Sequence, residues 1–324
     1  MTEVYGLLVG AYSRSEYLIK SFREYFKGKL ERDELKKRTL VEARKIIELQ
    51  NEAGLKYIID GMLEWHDLLR PIAENLLGVE VDGLARWFDN NAFYKKPIIT
   101  GEIHRKNSIL SGYIYPDLVT MGRWKLILPD PYTFISLSEN KSKLKLDDLL
   151  FQYSEALNHE LLELQRKYRI GQVQLSAPSL VWSKLEEDIL EIVGDAIAEM
   201  FKGVTAEKMV YLYFGDGLNA LPAVLDYDLD VVGFDLTYTN LNILADYDID
   251  KIALGVVDGR NSLLEDVETI VKKIDKYVDK REPEILYITP SCELEFLPVD
   301  VADEKVKLIS RIVKGLVYGI GLEY

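Results

Sequence analysis

The sequence predicts an α/β fold, a (β/α)8 barrel, on three observations. Eight short apolar, β-branched runs recur along the 324 residues, each followed by a polar turn and then a helical pattern. Alternation of this kind builds a parallel sheet. No glycine-rich dinucleotide fingerprint follows any of the runs, and eight βα units in one chain point to a closed barrel. An open doubly wound sheet is the alternative.

Taken in order, the runs are "EVYGLLVG" (3–10), "KYIID" (56–60), "KLIL" (125–128), "QVQLS" (172–176), "KMVYLYF" (208–214), "DVVGFDL" (230–236), "KIALGVV" (251–257) and "EILYIT" (284–289). The helices between them read from apolar residues spaced three and four apart, as in "SKLEEDILEIVGDAIAEMF" (183–201). Two features decorate the barrel. Residues 15–54 form a helical stretch broken at "KGKLERDE", which predicts a helical pair. Residues 65–124 form an insertion between the second and third strands, with a β-hairpin expected near 98–115. No linker rich in Pro, Gly or Ser and no internal repeat interrupts the chain, so 1–324 reads as one domain.

Composition narrows the function classes. The chain is 48% hydrophobic and 29% charged, with 54 acidic against 40 basic residues and a net charge of −14. Sequence-independent nucleic-acid binding needs a basic face and is disfavoured. A lone cysteine cannot form an internal disulfide, so a reducing, cytoplasmic setting is expected. The N-terminus lacks the pattern of a signal peptide, and no run is long enough to span a membrane. Scarce Gln with plentiful Lys, Glu, Ile and Tyr leans towards a thermophile.

In a barrel, the residues just after each strand converge on one mouth, where sites are built. Those ends supply Ala11, Tyr12, Ser13 and Arg14; Met62, Glu64, His66 and Asp67; Pro129, Asp130 and Thr133; Ser176 and Ala177; Tyr213, Gly215 and Asp216; Asp235; Asp258, Arg260 and Asn261; and Ser291, Cys292 and Glu293. Zinc requires three or four N, S or acidic O ligands. Cys292 supplies one and Asp235 a second, with no H-x-C or C-x-x-C pair to complete the set. Cys292 is equally readable as a nucleophile or as a small buried hydrophobe. Asp235 and Asp258 are readable as helix N-caps, and "VDGRN" (257–261) as a plain turn.

Several segments resemble cobalamin-independent methionine synthase, a zinc enzyme of two tandem barrels that moves a methyl group from a folate to homocysteine. "VGAYSRS" (9–15) is similar to the family's opening turn, and "GEIHR" (101–105), "PDPYTF" (129–134), "VQLSAP" (173–178) and "TPSCELEFLPVDVADEK" (289–305) follow in the family's order. "WFDNNAFY" (87–94), "GVVDGRN" (255–261) and "YFGDGLNALPAVLDYDLDVVGFDL" (213–236) are most similar to its N-terminal, non-zinc half. The resemblance thus implies a TIM barrel that stands alone as an N-terminal-like half.

The departures point the same way. Tyr213 and Gly215 stand where the catalytic half carries an H-x-C pair, Asp235 replaces its glutamate ligand, and Cys292 alone keeps its ligand identity. Ala11, Met62, Ser176 and Ala177 stand where that half grips homocysteine. Zinc is therefore not expected in this chain alone, and the site reads as a degenerate zinc site. Asp235, Asp258 and Cys292 are the catalytic candidates. Arg14, Asp67, Asp89, Tyr213, Asp216, Asp258, Arg260 and Asn261 are the candidates for binding a methyl-tetrahydrofolate or related pterin, with Asp89 and "FYKK" (93–96) near the donor or an interface.

The resemblance implies an accessory, donor-side subunit for methionine-synthase-type methyl transfer, working with a separate zinc-bearing barrel. Two rivals stand beside it. One is an independent enzyme of the methionine synthase and uroporphyrinogen decarboxylase-like superfamily with a rebuilt site. The other is a non-catalytic binding or regulatory barrel.

Overall fold

A computed structural model describes residues 2–319. Its strands and helices are β1 (Glu3–Gly6), α1 (Glu16–Phe26), α2 (Arg32–Glu52), α3 (Arg70–Ala73), β2 (Leu76–Arg86), β3 (Phe93–Arg105), β4 (Trp124–Pro129), α4 (Pro131–Ser136), β5 (Glu139–Asn140), α5 (Leu146–Lys167), β6 (Ile170–Ser176), α6 (Ser179–Trp182), α7 (Glu187–Phe201), β7 (Glu207–Leu212), β8 (Val231–Asp235), α8 (Leu241–Leu244), β9 (Lys251–Val257), α9 (Val267–Arg281), β10 (Ile285–Pro290) and α10 (Val299–Tyr318). Seven strands form one parallel, curled sheet in the order β1-β10-β9-β8-β7-β6-β4. Every residue of β4, β8 and β10 is buried, as expected where helices cover one face of a parallel sheet and side chains fill the other.

Seven of the eight apolar runs therefore pair as ladders. The eighth, "KYIID", does not. Ile58 makes only an isolated parallel bridge to Trp124, with Ile58 N donating to Arg123 O at 2.7 Å and Lys56 N donating to Gly6 O at 3.1 Å. The physical reason lies in a side chain. Gln50 of α2 donates to Ile59 O at 2.9 Å and accepts from Ile59 N at 3.0 Å, so its amide takes the place of a strand partner. Gly61 and Met62 then turn into left-handed conformations (φ 89° and 51°) and end the extension.

Large and small side chains interlock inside the sheet. The Tyr211 ring lies across Gly233 and Gly255, where an added Cβ would fall 2.3 Å from its atoms. Its hydroxyl donates to Pro290 O at 2.7 Å. Close approach, not turn geometry, requires glycine at both positions.

The insertion holds the second correction. The hairpin pairs β2 with β3, from Leu76↔Arg105 to Arg86↔Phe93, and turns at 87–92 rather than within 98–115. The outward arm β2 carries Gly78 and Gly83 in positive φ, which hid its strand pattern from a reading of alternation. β5 extends this second sheet by a parallel pair with β3. Among the described residues, no helix is long and apolar enough to cross a membrane.

Candidate functional site

At the C-terminal ends of the parallel strands lies a cavity of about 550 Å³. Its floor is Gly10, Ala11, Ile127 and Ser176; its walls include Tyr213, Glu293 and Glu295; the hairpin, with Trp87 and Asn90 of its turn and Tyr94 of β3, forms its roof. The turn is latched. Phe88 sits between Trp182 and Phe214, with ring centroids 5.1 and 5.8 Å away. Phe88 and Phe214 both adopt positive φ (51° and 64°), a conformation that bulky residues hold only when packing over-determines it.

Arg260 completes the latch. Its guanidinium donates to Asp89 Oδ1 at 3.0 Å and Tyr238 Oη at 2.6 Å, and lies 5.2 Å from the centre of the Phe214 ring. Asp258 sets its position, since Asp258 Oδ1 accepts from Arg260 N at 2.9 Å. Asp67 anchors the other side of the hairpin. Its Oδ1 accepts from Leu69 N and Arg70 N, and its Oδ2 from Lys95 N at 3.0 Å. Burial raises the Asp67 carboxyl above the usual range.

Glu293 is 7% exposed, and burial pushes its carboxyl up to about 8, with the nearby Glu295 carboxylate adding to the rise. Its partners are neutral donors: Tyr213 Oη at 3.3 Å and the Trp87 indole. Glu295, also raised by burial, pairs with Arg14 at 3.1 Å. Arg14 in turn donates to Trp65 O at 3.1 Å. His66 lines the same cavity and is kept neutral, its imidazole lowered to about 4 by burial and by Arg70 and Arg14.

Of the ten catalytic, binding and metal candidates named from the sequence, Asp67, Tyr213 and Arg260 line the cavity. Arg14 and Asp89 act one contact behind it. The other five, Asp216, Asp235, Asp258, Asn261 and Cys292, do not line it. Asp216 caps the short turn 217–220 by accepting from Leu218 N at 3.1 Å. Asn261 is exposed and accepts from Leu263 N at 3.0 Å. Asp235 titrates at about 6 through burial, and its oxygens are occupied by Thr237 N, Thr237 Oγ1 and Phe214 N. Cys292 is 1% exposed, with its sulfur 3.6 Å from Glu293 O.

The zinc set that the resemblance brings to mind does not fit these residues. Among those described, no three His, Cys, Asp or Glu side chains are grouped to hold a metal ion. Tyr213 and Gly215 carry no metal-binding side chain of the usual kinds, and the Asp235 oxygens accept from Thr237 and from Phe214 N. Burial holds the Cys292 thiol well above its ordinary value, and thiolate is the reactive form. A thiol-directed reagent should therefore label the native protein slowly and the urea-unfolded protein fully. Rapid stoichiometric labelling of the native state would contradict this burial.

Glu293 was visible in the sequence as a mouth residue, but nothing there marked its role. Glu295, Trp87, Tyr94 and Phe296 join it only because the turn at 294–296 and the hairpin fold inward. An acidic pair flanking one leucine carries no such signal in the sequence.

Fold and cavity together define an α/β scaffold with a curled seven-stranded parallel sheet and a cavity at the carboxyl ends of its strands. Residues 7–314 match the family model described as "Cobalamin-independent synthase, Catalytic domain", and the chain belongs to that family. Similar proteins include a methionine synthase of Sulfolobus acidocaldarius, 26% identical over 95% of this chain and 90% of the relative. One from Saccharolobus solfataricus is 27% identical over 92% and 90%. Among solved structures, a B12-independent methionine synthase from Shewanella sp. W3-18-1, in complex with selenomethionine, superimposes with a TM-score of 0.76 at 18% identity, covering 88% of this chain and 89% of that one. At that identity the likeness concerns the fold.

Proposed function

We propose that this chain is the donor-side component of methionine-synthase-type methyl transfer, holding a methyl-tetrahydropterin while a separate zinc-bearing barrel presents homocysteine. One observation carries the reading. The mouth offers aromatic walls and hydrogen-bond acceptors, yet its residues form no ligand set with which to activate a thiol. Asp67, Glu293, Glu295 and the Asn90 amide oxygen suit the amino and ring N–H edge of a reduced pterin. The aromatic rings suit its flat face. Arg260 and Asn261, at the rim, suit the acidic tail of a folate. Asp258 orients Arg260, Asp216 orients the loop after β7, and Asp235 ties β8 to that loop through Phe214 N. In this reading these three are positioning residues and Cys292 is a packed remnant. Residues 56–61 act as the eighth stave of one closed barrel, with 15–54 as helical decoration and 65–124 as the insertion that roofs the mouth.

The test is homocysteine methylation from 5-methyltetrahydrofolate, measured for a zinc-bearing barrel of the family with and without this chain. The expected result is at least a tenfold higher rate with the chain present, and no turnover by the chain alone. Equal rates in the two mixtures would sink the proposal.

A second reading is favoured by one fact. Relatives named methionine synthase align with this chain over nearly their whole length. On that ground the chain would be an independent enzyme with a rebuilt site. Turnover by the chain alone, abolished in Cys292→Ser together with bound zinc, would select it.

A further inference from the structure

We propose that Lys305, a buried lysine of α10, is a positioning residue for the cavity: it pins the loop that carries Arg260 and, through that loop, holds the hairpin roof in place. The proposal rests on the reading above only in taking the cavity as the binding site.

The helix itself poses the question. α10 buries Ala302, Val306, Leu308, Ile309 and Ile312, the apolar stripe of an amphipathic helix. Lys305 lies on that stripe, three residues after Ala302 and four before Ile309, and is 0% exposed. Lysine is almost never fully buried unless it is paired. A buried ion pair is seldom the most stable way to fill such a space, because apolar side chains of similar volume do as well or better. A lysine here therefore calls for a task other than stability.

Its contacts supply one. Lys305 Nζ donates to Leu263 O at 2.6 Å and to both Glu265 oxygens at 2.8 Å, so its donors are spent on the loop 258–266 between β9 and α9. That loop contains no strand or helix, and residues 261–264 are all exposed, so this stretch has no apolar anchor of its own. Glu265 passes the constraint on. Its Oε1 also accepts from Asp258 N at 2.7 Å, and Asp258 Oδ1 accepts from Arg260 N at 2.9 Å. From Arg260 the contacts run to Asp89 and Asn90 of the hairpin turn. The same loop backs Glu293. Gly259 N donates to Ser291 Oγ at 3.1 Å, and a Cβ on Gly259 would fall 2.8 Å from Cys292 Sγ and 3.1 Å from Glu293 O. An amine that does not line the cavity thus fixes the guanidinium on its wall, the turn over it and the backbone of Glu293.

The experiment is hydrogen exchange, read by mass spectrometry on the whole protein without ligand, together with urea denaturation. It compares the unaltered chain, Lys305→Met, Arg260→Ala and the double variant. In Lys305→Met, global stability should stay close to that of the unaltered chain. Amides of 258–265 and of the turn 87–92 should exchange about tenfold faster, while β6, β7 and β8 keep their protection. Arg260→Ala should release the turn and leave 258–265 protected. In the double variant the turn should exchange no faster than in Lys305→Met, because both changes cut one chain of contacts. A lysine with a merely structural role would raise exchange throughout α10 and the sheet, and that result overturns the proposal. Unchanged exchange at 87–92 in Lys305→Met, or additive effects there, also overturns it. Should Lys305→Met fail to fold with Glu265 left alone, Lys305→Met combined with Glu265→Gln leaves no charge behind and is read in the same way. Titration with 5-methyltetrahydrofolate is a separate arm, expected to show binding about tenfold weaker in Lys305→Met and no further loss when Arg260→Ala is added. No binding by the unaltered protein would refute the donor-side reading alone, since the exchange pattern is read without ligand.

Discussion

Glu293→Gln is expected to make the protein more stable at neutral pH, by on the order of 3 kcal/mol. The native carboxyl titrates at about 8 against an ordinary 4.5. Each unit of difference is about 1.4 kcal/mol, and at pH 7 about two and a half units separate the solution from the ordinary value. The sign follows from proton counting. Between about pH 4.5 and 8 the native state holds a proton that the unfolded chain has released, so stability falls as pH rises through that window. Glutamine keeps the shape and can still accept from Tyr213 while removing the titration. The gain should therefore be large at pH 8 and vanish near pH 4. Asp130, raised to about 7, and Asp235, raised to about 6, contribute falls of the same sign. His66, lowered to about 4, contributes the opposite, a loss as pH drops from about 6.5. All three remain in the variant, so the difference between two urea-denaturation series isolates Glu293. Parallel pH profiles would contradict the burial assigned to it. Perturbed carboxyls in clefts cluster at functional sites, which makes Glu293 a candidate for one.

The second large effect belongs to Gly10. A Cβ at this position would lie 2.5 Å from Glu293 Cβ and 2.9 Å from its Cα. Backbone cannot rotate aside as a side-chain tip can, so Gly10→Ala should push the whole 292–296 loop out of the mouth. Overpacking of this kind costs about 1–3 kcal/mol. The functional loss should exceed the structural one. Glu293, Glu295 and Phe296 would all shift, and 5-methyltetrahydrofolate binding should weaken at least tenfold in a protein that still folds. Unchanged binding would show that the loop does not form the mouth. Arg260→Ala provides the contrast. Its pairs are partly exposed, and exposed pairs contribute about 0–1 kcal/mol, so stability should barely move while the hairpin latch loosens.

The parallel sheet was legible because its strands are buried on both faces and read as continuous apolar runs, as "VVGFD" and "ILYITP" do. "KYIID" carries the same signal, and its failure to pair as a ladder depends on the Gln50 amide, which no local pattern announces. The hairpin was misplaced because β2 is interrupted by glycines and faces solvent along much of its length. At the site, Tyr213 and Arg260 were reachable from strand ends and motifs. Asp235 and Asp258 also stand at strand ends, but their side chains turn back onto their own backbone, a choice made by the turn after the strand. Cys292 sits at a strand end among the right residue types, and its burial, which holds the thiol well above its ordinary value, comes from the tertiary fold. Glu293 and Glu295 gain their character from burial and mutual proximity, both products of the tertiary fold.

The central claim is that the mouth binds a methyl donor without a metal set of its own. The direct measurement is calorimetric titration of 5-methyltetrahydrofolate into protein stripped of metal by chelation and dialysis. A single binding site of undiminished affinity, weakened at least tenfold in Arg260→Ala, is the predicted result. Binding that disappears on chelation and returns with one equivalent of zinc would contradict the account.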